Sequence, residues 1–448
     1  MRGRKVTVVG LGRTAVSLVR LLLREGARPF VTEVSDTPKV AAYRAELDTL
    51  GVFCECGGHT DAAFEDAVLV IPSPGVSPRV GPIARAREAG AEVLGEMEVA
   101  FAYCQSRVLA VTGTNGKTTT TELLKTLIES CGHRVVLAGN NAFPFSEAVQ
   151  ISPAPEYVVV EVSSYQLETI REFRPWIAAA LNVTPDHLSR HGSMETYSAV
   201  KARIFENQSD GDISVVNYDD PAVRGMADER RGRVWPFSLA TRLDNGIWLD
   251  GSDIRLGGER IARASDTILP GRHNLQNVLA ALSMMRAGGF DWGKTLAGLR
   301  EFRGVEHRIE FVARIGGVDF YNDSKSTNID SLKVALESFS APVILIAGGE
   351  GKGADYRVLR DSFGRRVKAL VTLGDDAPLL EAAFGDLAPT ERAEDMDDAV
   401  LRAAAASVPG DVVLLSPACA SFDMYESFEH RGKVFKESVI RYRERALQ

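Results

Sequence analysis

One stretch constrains the fold more than any other. Residues 108–111 form an apolar run that reads as a buried strand, and Gly113-Thr114-Asn115-Gly116-Lys117-Thr118 follows as a glycine-rich turn. Residues 119–128 then carry a helix-forming pattern. Strand, turn and helix in that order make a phosphate cradle, because N–H groups of the turn and of the helix N-terminus converge on an anion. In such a cradle Lys117 reaches the β- and γ-phosphates, and the Thr118 hydroxyl can ligate Mg²⁺. The usual pattern has a further glycine five residues before Gly116, a position held here by Val111. The match is therefore to the second half of the pattern, and a polar turn with a capping threonine remains the plain alternative. The order of the parts points to ATP, with Gly113, Thr114, Asn115, Gly116, Lys117, Thr118 and Thr119 around its phosphates.

A chain of 448 residues is long enough for about three cores. In the first segment, 1–106, residues 5–10, 28–33 and 67–72 read as strands, and 15–25 and 39–50 as helices. That alternation predicts a parallel sheet with helices on its faces. The last segment, 306–448, repeats it, with strands at 318–321, 343–346, 369–372 and 412–415 and helices at 331–338, 397–407 and 429–442. The expected fold is α/β in three domains: a Rossmann-like N-terminal domain (1–106), a central P-loop-type ATPase domain (107–305) and a Rossmann-like C-terminal domain (306–448). Residues 291–304 read as a boundary loop because of their glycines.

The formal net charge of −8 argues against a general nucleic-acid binder, which needs a basic surface. The N-terminal basic residues lead into too short an apolar run for a signal peptide, and no run of 18 apolar residues exists, so membrane insertion is not expected. Five cysteines without metal-ligand spacing suit reduced thiols in a cytoplasm. The expectation is a cytoplasmic monomer.

Polar chemistry collects at strand ends. Gly10-Leu11-Gly12-Arg13-Thr14-Ala15 fits G-x-G-x-x-A after the first strand, and Glu33 closes the second. Three readings fit: a nicotinamide dinucleotide site with Glu33 on the ribose, a helix-packing turn, or a cradle for the diphosphate of another nucleotide. Ser73-Pro74-Gly75-Val76 is either a ligand loop at the sheet edge or a tight turn. In the middle segment, Glu161 precedes Ser163-Ser164, and Asn182-Val183-Thr184-Pro185-Asp186-His187 follows the run 178–181. Glu161 is a hard oxygen donor suited to Mg²⁺. His187 is a less common partner for that ion, and a lone histidine is more often structural. Lys201 and Arg203 lie on an amphipathic helix, where a solvent-facing lysine is the default. Asn274 and Asn277, three apart on a helix, share a face and could reach an adenine or a phosphate, or merely cap the helix. Asp323 and Lys325 lie in one C-terminal loop, Lys352 in a glycine-rich second and Ser421 in a third, with His307 and Arg308 at the entrance. Arg308, Lys325 and Lys352 in an acidic protein suggest anionic substrates, carboxylate or phosphate.

Taken together, Gly113 to Thr118, Glu161 with Ser163-Ser164, His187 after Asn182-Val183-Thr184, Lys201-x-Arg203, His273-Asn274-x-x-Asn277 and Asn322-Asp323-Ser324-Lys325-x-Thr327-Asn328 resemble the Mur ligase family. The resemblance runs in order from Gly10 to Phe435. Ser416-Pro417-Ala418-Cys419-Ala420-Ser421-Phe422-Asp423, with Phe428-Glu429-x-Arg431-Gly432, is similar to the branch of that family that adds D-glutamate to UDP-N-acetylmuramoyl-L-alanine. The Asp-Asn-Pro-Arg signature of the diaminopimelate-adding branch is absent.

The resemblance implies one substrate per domain. Arg13, Thr14, Ser73 and Gly75 would contact the UDP part, and Asn140 and His187 the muramoyl part or a metal. Thr327, Lys352, Ser421 and Phe428 would hold D-glutamate. Asn274, Asn277, Arg308 and Asp323 join the ATP contacts. Two Mg²⁺ sites are implied, one on Thr118 and Glu161, the other on His187 with a carbamylated Lys201. Lys117, Glu161, His187, Lys201, Arg308 and Lys325 would be the catalytic set. Relatives often carry Asp-Thr-Arg where this chain has Glu33-Val34-Ser35, and Asn-Ile-Gly where it has Asn140-Asn141-Ala142. Three substrates on three domains also imply closure, with a hinge near 288–304.

Overall fold

The computed structural model describes residues 1–446 other than 80, 142, 228–230 and 352. The chain forms two compact units, Met1–Asp266 with Gln276–Leu299, and Thr267–Leu275 with Arg300–Gln448.

Unit 1 holds two sheets. The first has five parallel strands in the order Cys54–Cys56, Arg28–Glu33, Lys5–Val9, Leu69–Pro72, Glu92–Val93. Connections run outward in opposite directions from Lys5–Val9 and Leu69–Pro72, so the loops after these two strands flank the crevice where such sheets take ligands. Helix Arg13–Arg24 covers one face through Ala15, Leu18, Val19 and Leu22, packed with Val6, Val8, Val31 and Ile71.

The second sheet has nine strands, in the order Glu259–Arg263, Asp253–Leu256, Ile247–Asp250, Arg233–Ser238, Ile213–Asn217, Ile177–Ala180, Arg107–Thr112, Tyr157–Glu161, Val135–Gly139. The seven from Ile247–Asp250 onward pair in parallel, and the other two add an antiparallel edge. Arg107–Thr112 lies well inside the sheet, and its residues beyond Arg107 are buried, which accounts for an apolar run without alternation. Register places Val111 and Gly139 on either side of Glu161, so three strands deliver their exits to one edge.

Two buried carboxylates on helix Glu96–Phe101 join the sheets. Glu96 Oε1 accepts the Ser146 N–H at 2.5 Å. Glu98 accepts the N–H groups of Arg171, Glu172 and Phe173 at 2.7–3.0 Å.

Unit 2 is one six-stranded sheet in the order Glu310–Ile315, Val318–Asn322, Val412–Leu415, Val343–Gly348, Val367–Leu373, Thr390–Arg392. The first pair is antiparallel and the rest parallel. Loops 323–328, 416–423 and 349–353 therefore leave three adjacent strands at one edge.

One expectation fails. Most of 291–304 is not a loop but helix Trp292–Glu301, with Thr295, Gly298 and Leu299 buried. Asp291 Oδ1 accepts the Lys294 N–H at 2.9 Å and starts the helix. Gly298 is there because a Cβ would run into Ser130, so this glycine marks close helix packing and not a break. Among the described residues no helix is long and apolar enough to cross a membrane.

Candidate active site

The phosphate loop follows strand Arg107–Thr112 and opens helix Lys117–Ser130. Gly116 caps that helix at φ +85°, a left-handed conformation, and a Cβ there would collide with Asn277 Oδ1. Glycine is thus required twice over, by backbone and by the asparagine packed on it. Lys117 Nζ donates to the carbonyls of Gly113 and Thr114, both at 2.9 Å. Lys201 Nζ, from helix Met194–Ala202, donates to the same Gly113 carbonyl at 2.8 Å. Lys201 is 2% exposed, against its expected solvent-facing position, and its ammonium lies 4.6 Å from the Tyr197 ring centroid. Burial first, and then the charge of Lys117, push it down to about 7, with Asp186 opposing.

A clasp fixes the loop. Asn182 Oδ1 accepts the Asn115 N–H at 2.8 Å, and Asn182 Nδ2 donates to the Asn115 carbonyl at 3.1 Å. The Thr184 N–H donates to Thr114 Oγ1 at 3.1 Å, and the Thr114 N–H to the Asn182 carbonyl at 2.9 Å. Asn182 and Thr184 come from the exit of the neighbouring strand Ile177–Ala180.

Thr118 and Glu161 are brought together through consecutive asparagines. Asn141 Nδ2 donates to Thr118 Oγ1 at 2.7 Å, and Asn140 Nδ2 donates to Glu161 Oε1 at 3.0 Å. The other carboxylate oxygen, Glu161 Oε2, is buried without a hydrogen-bond partner. An unmatched buried carboxylate oxygen is costly, and a hard cation satisfies it. The residues present thus fit Mg²⁺ at Thr118 and Glu161. Among the described residues no group of three or more His, Cys, Asp and Glu could hold a metal. A cation held here would take the Glu161 carboxylate and the Thr118 hydroxyl as its ligands from these residues. His187 is half-exposed at φ +51°, its ring 4.9 Å from that of Tyr165 and its Nε2 3.4 Å from Asp186 Oδ2.

At the N-terminal crevice, Glu33 turns inward. Its Oε2 accepts the Leu11 N–H at 2.7 Å and its Oε1 the Ser35 N–H at 2.8 Å, so the carboxylate braces the glycine turn instead of presenting itself to a ribose. Arg13 opens the following helix, with its guanidinium 4.8 Å from the Phe143 ring centroid and 3.4 Å from Glu147. Thr14 sits in the same first turn. Ser73 Oγ donates to the Gly10 carbonyl at 3.4 Å, and Gly75 is exposed beside it. Arg13, Thr14, Ser73 and Gly75 thus come from the two loops that flank one crevice.

In unit 2, Asp323 is buried, accepting from Ser416 Oγ at 2.8 Å and from the Ile309 N–H at 3.2 Å. Burial pushes its carboxyl up to about 7 against the hydrogen bond from Ser416 and the charge of Arg308, an exposed residue. Lys325 Nζ lies 5.7 Å from the Phe428 ring centroid. Arg431, named above only as part of the C-terminal signature, is fully buried and ties two of the loops together. It donates to Ser324 Oγ and to the carbonyls of Ser324, Ala420 and Cys419 at 2.9–3.1 Å. Ser421 is buried and Thr327 half-buried. Asn274 Nδ2 donates to the Pro270 carbonyl at 2.8 Å. Lys352 lies outside the described residues.

The sequence also matches known families along its length. Residues 4–95 match the Mur ligase MurD-like N-terminal domain, 111–285 the Mur ligase middle domain, and 307–419 the Mur ligase glutamate ligase domain. The UDP-N-acetylmuramoylalanine--D-glutamate ligase of Pelotomaculum thermopropionicum is 42% identical over 98% of this chain and 97% of that protein. The enzyme of the same name from Koribacter versatilis is 41% identical over 98% of each. Among solved structures, UDP-N-acetylmuramate-alanine ligase from Thermotoga maritima aligns over 98% of this chain and 99% of its own at a TM-score of 0.57 and 19% identity. The MurF ligase of Thermotoga maritima in complex with ADP aligns over 99% and 96% at 0.57 and 17%; these likenesses carry the fold. The chain belongs to the Mur ligase family and is an ATP-dependent ligase that forms a peptide bond.

Proposed function

We propose that this protein joins D-glutamate to UDP-N-acetylmuramoyl-L-alanine, a step of peptidoglycan precursor synthesis. The reading rests on about 40% identity, over nearly the full length, to ligases of that name. The phosphate loop, where two lysines share the Gly113 carbonyl, and the unmatched Glu161 oxygen at the exit of a neighbouring strand supply the chemistry such a ligase needs.

A carboxylate is a poor acyl donor, because oxide is a poor leaving group. Transfer of the γ-phosphoryl of ATP to the alanyl carboxylate gives an acyl phosphate and ADP. Attack by the amine of D-glutamate then forms the amide and releases phosphate. Two anions must first approach each other, so fixed positive charge has to offset their repulsion. Lys117 supplies it at the β- and γ-phosphates, and the clasp through Asn182, which engages the Thr114 and Asn115 N–H groups, fixes the shape of the loop around them. Thr118 and Glu161 would hold Mg²⁺, which when bound neutralises phosphate charge as a Lewis acid.

Lys201 takes a second role in this reading. With its pKa pushed down to about 7, the Lys201 amine is about half neutral at pH 7, and reaction of the neutral amine with CO₂ would give a carbamate and a proton. Counted from the ammonium, two protons leave in all and a cation gives way to an anion beside Gly113, which with His187 would make the second cation site. Arg13, Thr14, Ser73 and Gly75 take the UDP part, and Asn140 the muramoyl part. Thr327, Lys352, Ser421 and Phe428 take D-glutamate, with Arg308 and Lys325 as cationic partners of the reacting groups. Asn274, Asn277 and Asp323 complete the ATP contacts.

Phosphate release with ATP and UDP-N-acetylmuramoyl-L-alanine, varying the amino acid, tests the assignment. D-glutamate should support turnover far above L-glutamate and meso-diaminopimelate, and equal rates with all three would overturn it.

A further inference from the structure

A second set of charged side chains lies between loop 73–76 and the turn that carries His187. Its centre is Arg190, on the short helix Leu188–His191 that follows His187. Arg190 Nε and Nη2 donate to the two oxygens of Glu168 at 3.2 and 2.7 Å, and Nη2 also reaches the Val76 carbonyl at 3.4 Å. The guanidinium lies 5.2 Å from the Tyr165 ring centroid. The same ring is 4.9 Å from that of His187 and is stacked 5.8 Å from that of His191. The side chains of Arg190 and Glu168 are only 17% and 12% exposed.

An exposed ion pair would carry little weight. This one is largely buried and forked, a geometry that the planar guanidinium holds and an ammonium does not. It joins chain segments around 76, 168 and 190. It also braces a turn that carries His187 in a left-handed conformation, which a residue with a Cβ adopts only when its surroundings hold it there.

We propose that Arg190 is a positioning residue: by holding Glu168 and the Val76 carbonyl together, it sets the spacing between loop 73–76 and His187, and so the span over which the UDP-muramoyl substrate is stretched. The inference rests on the proposed function, which places the UDP part at that loop and the second cation site at His187. Arginine is needed because three acceptors in two directions exceed what one lysine ammonium reaches from the same backbone position.

Calorimetric titration of the full-length protein tests it, once with UDP-N-acetylmuramoyl-L-alanine and once with a non-hydrolysable ATP analogue and Mg²⁺. Arg190→Lys should weaken the muramoyl substrate about tenfold or more and raise its KM, while ATP-analogue affinity stays within about twofold. Glu168→Gln should show the same split to a smaller degree, and it carries the test if Arg190→Lys fails to fold. Muramoyl-substrate affinity unchanged in both variants would overturn the inference. So would equal losses for both ligands, which mark general damage to the fold. A wild-type protein that does not bind the muramoyl substrate would instead overturn the functional reading. Where the wild type binds, the variants judge Arg190 alone.

Discussion

Two glycine turns of unit 1, at 10–12 and 113–116, each join a parallel strand to a long helix, yet they are braced by opposite chemistry. The first is held by a carboxylate, Glu33, which directs its charge to the N–H groups of Leu11 and Ser35. The second is held by a neutral amide, Asn182, and by Thr184, with two lysines on the Gly113 carbonyl. An anionic brace offsets the positive end of the helix behind it, whereas an amide brace leaves that field intact. The first turn suits a ligand held by shape and by a flanking cation such as Arg13. The second suits concentrated negative charge, as on a triphosphate.

The comparison breaks most sharply at Lys117. Lys117→Met should lower turnover on the order of a thousandfold in a phosphate-release assay, with little change in thermal midpoint, because the loop keeps its clasp. Next in size is a pH effect at Lys201. Its folded value of about 7 lies below the ordinary 10.5, so between these limits the unfolded chain binds a proton that the folded chain does not. Stability must then rise with pH across that window, at a slope of at most about 1.4 kcal/mol per pH unit. Denaturant unfolding at pH 7, 8 and 9 in CO₂-free buffer should show that rise in wild type, and Lys201→Met should flatten it. Asn182→Ala removes two hydrogen bonds of the clasp and should weaken the ATP analogue roughly tenfold to thirtyfold, at about 1 kcal/mol for each bond. The smallest effect is at the first turn. Glu33→Gln keeps the shape and removes the charge, and should change affinity for the UDP substrate about fivefold or less with ATP unaffected. A larger effect on ATP than on the UDP substrate would erase the distinction between the turns.

Much of the fold was legible because parallel strands buried on both faces leave apolar runs in the sequence. Residues 5–10, 28–33 and 343–346 read as strands and lie within or next to Lys5–Val9, Arg28–Glu33 and Val343–Gly348. Residues 291–304 misled because glycine was read as a breaker, whereas Gly298 serves a close packing contact with Ser130. Single residues of the site could be picked out by chemical type at strand exits. Their partners could not. The Asn115–Asn182 clasp spans 67 residues and the Arg190–Glu168 pair 22, and no local spacing encodes such pairings. Glu33 shows the converse: a residue type at the right place, turned by two backbone N–H groups towards a task other than the one its position suggested. Arg431 stood out in the sequence as part of a motif, but only folding shows what it does there, satisfied by four acceptors on two loops.

The buried carboxylates Glu96 and Glu98 have a practical consequence for anyone dissecting the molecule. Their hydrogen-bond donors, the backbone of Ser146 and of Arg171, Glu172 and Phe173, all lie beyond residue 140. A fragment ending near residue 106 would strip both side chains of those donors and uncover Met97 and Ala100, which pack into the core of the nine-stranded sheet. The first hundred residues look like a detachable cassette on the sequence map, but they share their interior with the residues of that second sheet. Cloning boundaries, domain swaps and fragment screens should treat the first two sheets as one indivisible piece.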